Sequence, residues 1–477
     1  MGTALRRDLL DGPILGTLAR LALPIVLANL LQTAYQLTDT YWVGRLGGEA
    51  VAAVSISFPV LFLIIALGGG LGVAGSVLVS QYTGAGEPQR VNRVAGQTLL
   101  LVVIVSTLLS VGGYLAAPSL MRLMGAGPDI LADASRYLQV SFIGTLFMFG
   151  FFVYQSIMRG IGEVRVPVFI VLATVLLNLV LDPLFIFGWG PVPRLGVAGA
   201  AWATVGTQAV ATLIGWSHLL GGRYGVHVTS ADLRPDWMTV RLIWRLGLPA
   251  SLEQSTRALG LVALTFLVAT FGTQTLAAYG IGTRILAFVI IPALGLSMAT
   301  AALVGQNIGA GQRERAEAIA RLAAAVAFVV LEAVGVLCFF YAVPIIRLFI
   351  PNDPAVVAGG AVFLRLMALT FGFIGLQQAL GGAFRGSGNT LHTMVIALVS
   401  LWALRFPLAY FLAMHTRLGA LGLWWAFPVS NVATAIMAIV WFRWGTWRRT
   451  VLVKGPRAQL KETVSEEIIG QEGTGES

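Results

Sequence analysis

The chain is poor in the residues that build redox and metal centres. Its single cysteine, Cys338, excludes a disulfide framework. The four histidines, His218, His227, His392 and His415, are scattered near segment ends, so neither metal nor thiol chemistry has a pattern to rest on. No loop carries an Asp-Asp-x-x-Asp cluster, which a metal-dependent membrane transferase would need. The first sixteen residues hold Arg6, Arg7, Asp8 and Asp11 without an apolar core and small-residue cleavage site, so they are expected to stay as a short amphipathic lead-in. Charge itself is scarce. Only 11% of the 477 residues are Asp, Glu, Lys or Arg, against roughly a quarter in a soluble domain, and 57% are hydrophobic. No water-facing surface can be built from that composition.

What is present is a succession of long apolar blocks. Each approaches or exceeds the roughly 20 residues that cross a bilayer as a helix, and their lack of alternation excludes membrane strands. Six blocks run Thr17–Leu46, Val51–Ser80, Val91–Ala117, Ala134–Met158, Val166–Gly188 and Leu195–Leu220. Six more run Val240–Phe271, Leu276–Gly305, Ala316–Val343, Ala358–Phe384, Leu391–Met414 and Ala420–Trp444. The chain therefore divides into a lead-in (1–16), a first lobe (17–220), a polar linker (221–239), a second lobe (240–444) and a Gly/Glu-rich tail (445–477) expected to be disordered. Counted over alternate loops, roughly 21 basic residues fall on the side of both termini and about 6 on the other. Both termini are expected in the cytoplasm. The formal charge of +10 is then mostly this asymmetry and does not call for nucleic acid.

The halves resemble each other. Arg20-Leu21-Ala22-Leu23-Pro24 matches Arg245-Leu246-Gly247-Leu248-Pro249 at an offset of 225 residues, and the same register aligns Gly47 with Gly272, Gly70 with Gly295 and Gln81 with Gln306. It carries Gly84-Ala85-Gly86 onto Gly309-Ala310-Gly311 and Arg90 onto Arg315. Further on, Arg159-Gly160 matches Arg385-Gly386, and Gly199-x-x-Trp202 matches Gly422-x-x-Trp425. Because each half has an even number of spans, the repeats are parallel, with a central path between the lobes.

Ionisable groups inside hydrocarbon cost several kcal/mol and need a reason. Of 21 carboxylates, only Asp39, Asp182, Glu253 and Glu332 lie well inside spans. At 1.5 Å per residue, Asp39 and Asp182 reach comparable depth in the outer half of the membrane. Tyr35 and Asn178 precede them by one helical turn, and Thr204 on the descending sixth span reaches a similar level. This oxygen-rich set suits a proton, a Na⁺ or a cationic solute, or else a hydrogen-bond network that pins helices. Glu253 has Arg257 at i+4, the spacing of an internal ion pair. Glu332 either snorkels or lines the second lobe. Arg284, Arg365 and Arg405 are candidate counter-charges or anchors. Pro24 marks a kink, static or moving, in the first span.

Taken together, the paired Gln81-x-x-Gly84-Ala85-Gly86 and Gln306-x-x-Gly309-Ala310-Gly311, the Leu276-Ala277-Ala278-Tyr279-Gly280-Ile281-Gly282 run and the two Arg-Gly pairs resemble the multidrug and toxic compound extrusion (MATE) transporters, over nearly the whole chain to about Trp444. The resemblance implies an all-α membrane fold of twelve transmembrane helices, in two six-helix lobes related by a parallel pseudo-two-fold. It implies export of organic, often cationic, compounds in exchange for H⁺ or Na⁺, by a monomeric chain without cofactor in the cell inner (plasma) membrane. The sequence looks most like the DinF-like branch, whose amino-lobe cation site maps onto Asp39, Asn178, Asp182 and Thr204, with Tyr35 close by and Pro24 as the bend of the first helix. The NorM-type carboxyl-lobe pair is incomplete, since Glu253 has no partner acid in Ala358–Phe384. A major-facilitator protein would show Gly-x-x-x-Asp-Arg after the second span, which Tyr82–Arg93 lacks. A flippase for lipid-linked saccharides shares the fold, and would present arginines to the cavity in place of carboxylates.

Overall fold

A computed structural model describes residues 9–191, 193–445, 447 and 452. The first lobe comprises α1 (Ile14–Gly44), α2 (Gly48–Ala85), α3 (Pro88–Leu123), α4 (Pro128–Ile143), α5 (Thr145–Ile161), α6 (Arg165–Phe187) and α7 (Val197–Leu220). The second comprises α8 (Trp237–Ala269), α9 (Thr273–Gly309), α10 (Arg313–Phe340), α11 (Ala342–Phe349), α12 (Pro354–Ala368), α13 (Phe371–Gly386), α14 (Thr390–Leu398), α15 (Phe406–Met414) and α16 (Ala420–Trp444). A seven-residue π segment, Val399–Arg405, joins α14 to α15.

Among the described residues, nine single spans are long and apolar enough to cross a membrane, α14 to α15 counting as one. Two more are bent pairs, α4 with α5 at 46° and α12 with α13 at 50°. The twelfth is α8, whose 33 residues reach about 50 Å and whose apolarity is lowered by Arg241, Arg245, Glu253 and Arg257. The continuous fourth and tenth spans expected from sequence are thus broken, at equivalent places in the two halves. Each break exposes backbone groups that side chains satisfy. Ser110 donates to the Phe142 carbonyl at 2.6 Å, and Glu332 accepts from the Gly372 N–H at 2.8 Å. Glu332 therefore caps the N-terminus of α13, where a carboxylate is favoured.

One apolar core fills the first lobe and a second fills part of the other. A third lies between them, where Leu18, Leu21 and Ile25 of α1 pack with Leu303 and Val304 of α9. The first turns of α1 thus belong to the second lobe, whereas its Val43 packs in the first. Symmetrically, Val240, Ile243 and Leu246 of α8 pack into the first lobe, and Leu264 and Leu267 into the second. The two repeated prolines, Pro24 and Pro249, sit at these crossings. Glycine permits the approach. A Cβ on Gly70 would fall 2.3 Å from the Gly247 carbonyl oxygen, and one on Gly295 would fall 2.4 Å from the Val26 side chain.

The lobes are latched at one end. Gln81 Nε2 donates to the Gly386 carbonyl at 2.9 Å, and Gln306 Nε2 to the Gly160 carbonyl at 2.8 Å. Away from this latch, a cleft of about 280 Å³ lies between α1 and α2, lined by Thr40, Val43, Ser55 and Phe58. The linker is docked along the start of α3: Gln97 donates to the carbonyls of Asp232 and Arg234, and accepts from the Asp236 N–H. Hydrogen bonds from Thr239 and the nearby Arg93 charge hold the Asp236 carboxyl below the usual carboxylate range.

The outer boundaries differ from expectation. Leu9 is buried against Gly162, Arg315 donates to the Gly12 carbonyl, and α1 begins at Ile14, so the lead-in is packed before residue 17. At the other end Trp447 is 1% exposed and stacked on Phe442 at 5.0 Å, so packing continues past Gly445. The rest of the tail expected to be disordered lies outside the described residues.

Candidate cation site in the first lobe

Asp182 is fully buried on α6, one turn before the helix end, and Asn178 one turn earlier donates Nδ2 to its Oδ1 at 2.8 Å. Tyr35 comes from α1, and its hydroxyl lies 3.1 Å from Thr207 Oγ1 on α7, beside Thr204. Thr207 in turn donates to the Thr204 carbonyl at 2.9 Å. Asp39, one turn after Tyr35, is close enough to Asp182 and Tyr35 to interact electrostatically. The structure therefore brings together Tyr35, Asp39, Asn178, Asp182 and Thr204.

Two members escaped the sequence reading. Thr207 is the hydroxyl that meets Tyr35, and Tyr137 of α4 is buried within electrostatic reach of Asp39, Tyr35 and Asp182. Same-helix spacing cannot reveal either. The available signals were a phenol inside an apolar span and a second threonine one turn from Thr204.

The site contains more acceptors than donors. Asp39 Oδ1, Asp182 Oδ2 and Asn178 Oδ1 are all buried and accept no hydrogen bond. Buried oxygens are normally paired, so three orphans around two carboxylates fit a resident proton or a hard cation.

The second lobe handles its acid differently. Glu253 is buried and meets Arg257 at 3.1 Å, as its spacing predicts, but also Arg385 at 2.9 Å, which sequence did not connect to it. Arg385 further donates to Ser297 at 2.8 Å. Arg284 is exposed and forms no ion pair among the described residues, so it joins neither cluster. Arg365 donates to the Phe339 carbonyl and anchors α12 to α10. Among the described residues no group of three or more His, Cys, Asp or Glu side chains could hold a metal ion.

Two pseudo-symmetric lobes, a polar nest inside one of them and a latch across one end define a multi-pass membrane transporter. Comparison with known proteins sharpens the class. The family model MatE matches residues 24–184 and 249–411. The chain is 30% identical over 443 residues to the probable multidrug resistance protein YpnP of Bacillus subtilis, covering 92% of this chain and 97% of that one. Among solved structures it is similar to an outward-facing multidrug resistance MATE transporter of the MOP superfamily, with TM-score 0.86, 28% identity and coverage of 93% and 98%. A MATE solved in the bent conformation gives TM-score 0.87 and 28% identity over 93% of this chain and 98% of that one. The chain belongs to the MATE family of multidrug efflux transporters.

Proposed function

We propose that the protein is a secondary antiporter of the DinF-like type, exporting organic, often cationic, compounds in exchange for H⁺ through the nest of Asp39 and Asp182, as a monomer in the bacterial inner membrane. The observation that carries this reading is the set of three buried oxygens without donors. Two like charges in hydrocarbon favour sharing one proton, and taking it up weakens attraction for a cationic solute. Solute release and proton uptake are then alternatives at one site. Na⁺ is the second coupling ion that an all-oxygen donor set supports. Pro24, at the crossing of α1 between lobes, supplies the place where that helix bends as the site changes occupancy. A lipid-linked-saccharide flippase is less favoured, because the described nest is acidic.

Vesicles loaded with a fluorescent organic cation separate the coupling ions. Export is expected under a pH gradient at equal Na⁺ on both sides. Export driven only by a Na⁺ gradient at clamped pH would replace H⁺ by Na⁺ and leave the site in place.

We infer that the latched end and the linker face the cytoplasm, from the basic residues on that side. Single cysteines replacing Gly127 and Ala231, in a chain with Cys338→Ser, are expected to react with an impermeant maleimide from opposite sides of the membrane. Labelling of both from outside would invalidate the span assignment.

A further inference from the structure

The two lobes carry opposite charge one position apart in the repeat register. Pro183-Leu184 and Pro407-Leu408 align at an offset of 224 residues, which places Arg405 one position before the counterpart of Asp182. It ends the π segment, which the equivalent helix α6 lacks. Such segments often mark functional positions.

Arg405 is held only by neutral groups. Its Nε donates to Ser430 Oγ at 2.9 Å and one Nη to Asn431 Oδ1 at 2.5 Å, and the guanidinium lies over the Phe427 ring, 4.7 Å from its centroid. Asn431 is itself fixed by a hydrogen bond to Thr370 at 3.0 Å. No carboxylate forms an ion pair with Arg405 among the described residues, because Glu253 is already engaged by Arg257 and Arg385. The second lobe thus gathers Glu253 with Arg257, Arg385 and Arg405 in this region, a net positive set, where the first-lobe nest brings two acids together. The remaining Nη1 of Arg405 makes no hydrogen bond among the described residues, and the residue keeps part of its surface exposed. Across the same Phe427 ring, with ring centroids 6.2 Å apart, lies Tyr279, which is 2% exposed; its hydroxyl has Thr265 near it but no partner at hydrogen-bond geometry among the described residues. A guanidinium fork and an orphan hydroxyl are donors that lack an acceptor, the converse of the first-lobe nest.

We propose that Arg405 and the Tyr279 hydroxyl form a subsite for an anionic oxygen group, a carboxylate or phosphate, carried by the exported compound. The proposal builds on the export reading above and narrows its substrates to compounds that bear an acidic group, with any cationic part directed to the first lobe. A structural cation would need only the Ser430 and Asn431 contacts. The free Nη1 and the unpaired phenol are what those contacts leave unexplained.

The test is equilibrium binding to the purified full-length protein in nanodiscs, with no ion gradient. The probes are a xanthene dye bearing a free carboxylate and the ethyl ester of the same dye. The unaltered protein is expected to bind the acid more tightly than the ester. Arg405→Gln should weaken the acid by about tenfold or more, the usual scale of a lost charge-assisted pair, and the ester by less than about twofold. Tyr279→Phe, which removes one oxygen and no packing, should weaken the acid alone by about threefold to tenfold. Arg405→Lys should retain part of the preference. Melting of each variant, followed by tryptophan fluorescence, identifies any that fails to fold, and the Tyr279→Phe result then decides. No preference for the acid in the unaltered protein, or equal losses for acid and ester, would overturn the subsite. Because no gradient is involved, that outcome leaves the antiport reading to its own vesicle test.

Discussion

Asp39→Asn and Asp182→Asn are each expected to reduce gradient-driven export to a few per cent of the unaltered protein while leaving membrane insertion and melting temperature nearly unchanged. Either substitution removes a charge that the surrounding oxygens do not neutralise. Asp39 Oδ1 and Asp182 Oδ2 accept no hydrogen bond, so replacing a carboxylate with an amide breaks no such contact at those atoms and removes the cost of a buried charge. Asn178 keeps an acceptor in the Asp182 variant, because the amide oxygen can take the place of Oδ1. What is lost is the capacity to take up and release a cation. Glu253→Gln should behave in the opposite way. It leaves Arg385 and Arg257 facing a neutral group, and breaking a buried ion pair costs on the order of 3 kcal/mol. Its signature is a lower melting temperature and yield, with transport per folded molecule reduced less than in the aspartate variants. Export measured in vesicles and normalised to folded protein checks both. Active aspartate variants beside a folded but inactive Glu253→Gln would move the coupling site to the second lobe.

The parts of this architecture that depend on composition along one helix were legible in the sequence. Continuous apolar runs located the spans, the 225-residue register located the duplication, and acids inside apolar runs located Asp39, Asp182 and Glu253. The i+4 rule placed Arg257 on Glu253 and Asn178 on Asp182, because side chains one turn apart meet without any tertiary information. Contacts between distant segments were not legible. Arg385 lies 132 positions from Glu253, and Thr207 lies 172 positions from Tyr35. Arg385 was visible only as half of a repeated Arg-Gly pair, with no indication that its charge serves Glu253. The breaks in the fourth and tenth spans were hidden for a related reason. The groups that make them tolerable, Ser110 and Glu332, sit on neighbouring helices, so the local apolar pattern shows no interruption.

Gly84→Ala and Gly309→Ala are expected to abolish export by preventing the latched end from closing. A Cβ on Gly84 would lie 1.9 Å from the Gln306 carbonyl oxygen, and one on Gly309 would lie 1.9 Å from the Gln81 carbonyl oxygen. Both obstacles are backbone atoms near the ends of long helices, so no rotamer change relieves them, and the two helices must separate. Separation also strains the Gln81 to Gly386 and Gln306 to Gly160 hydrogen bonds that join the lobes there. Overpacking of this kind costs about 1–3 kcal/mol or more, and each 1.4 kcal/mol shifts a two-state population tenfold. The cost falls only on the arrangement in which this end is shut, so the alternative, open at the same end, gains population at its expense. A transporter that must alternate between the two is then trapped in one. Spin labels on Glu87→Cys and Gln312→Cys, positions related by the 225-residue register, report the separation directly in a chain with Cys338→Ser. A single short distance is expected in the parent, and a longer, broader distribution in either alanine variant. Gly112→Ala is the control, since a Cβ there meets nothing within 4 Å. Unchanged distances together with export within about twofold of the parent would show that the glycine contacts are not the barrier, because a cost of even 1.4 kcal/mol on the closed end corresponds to a tenfold population change.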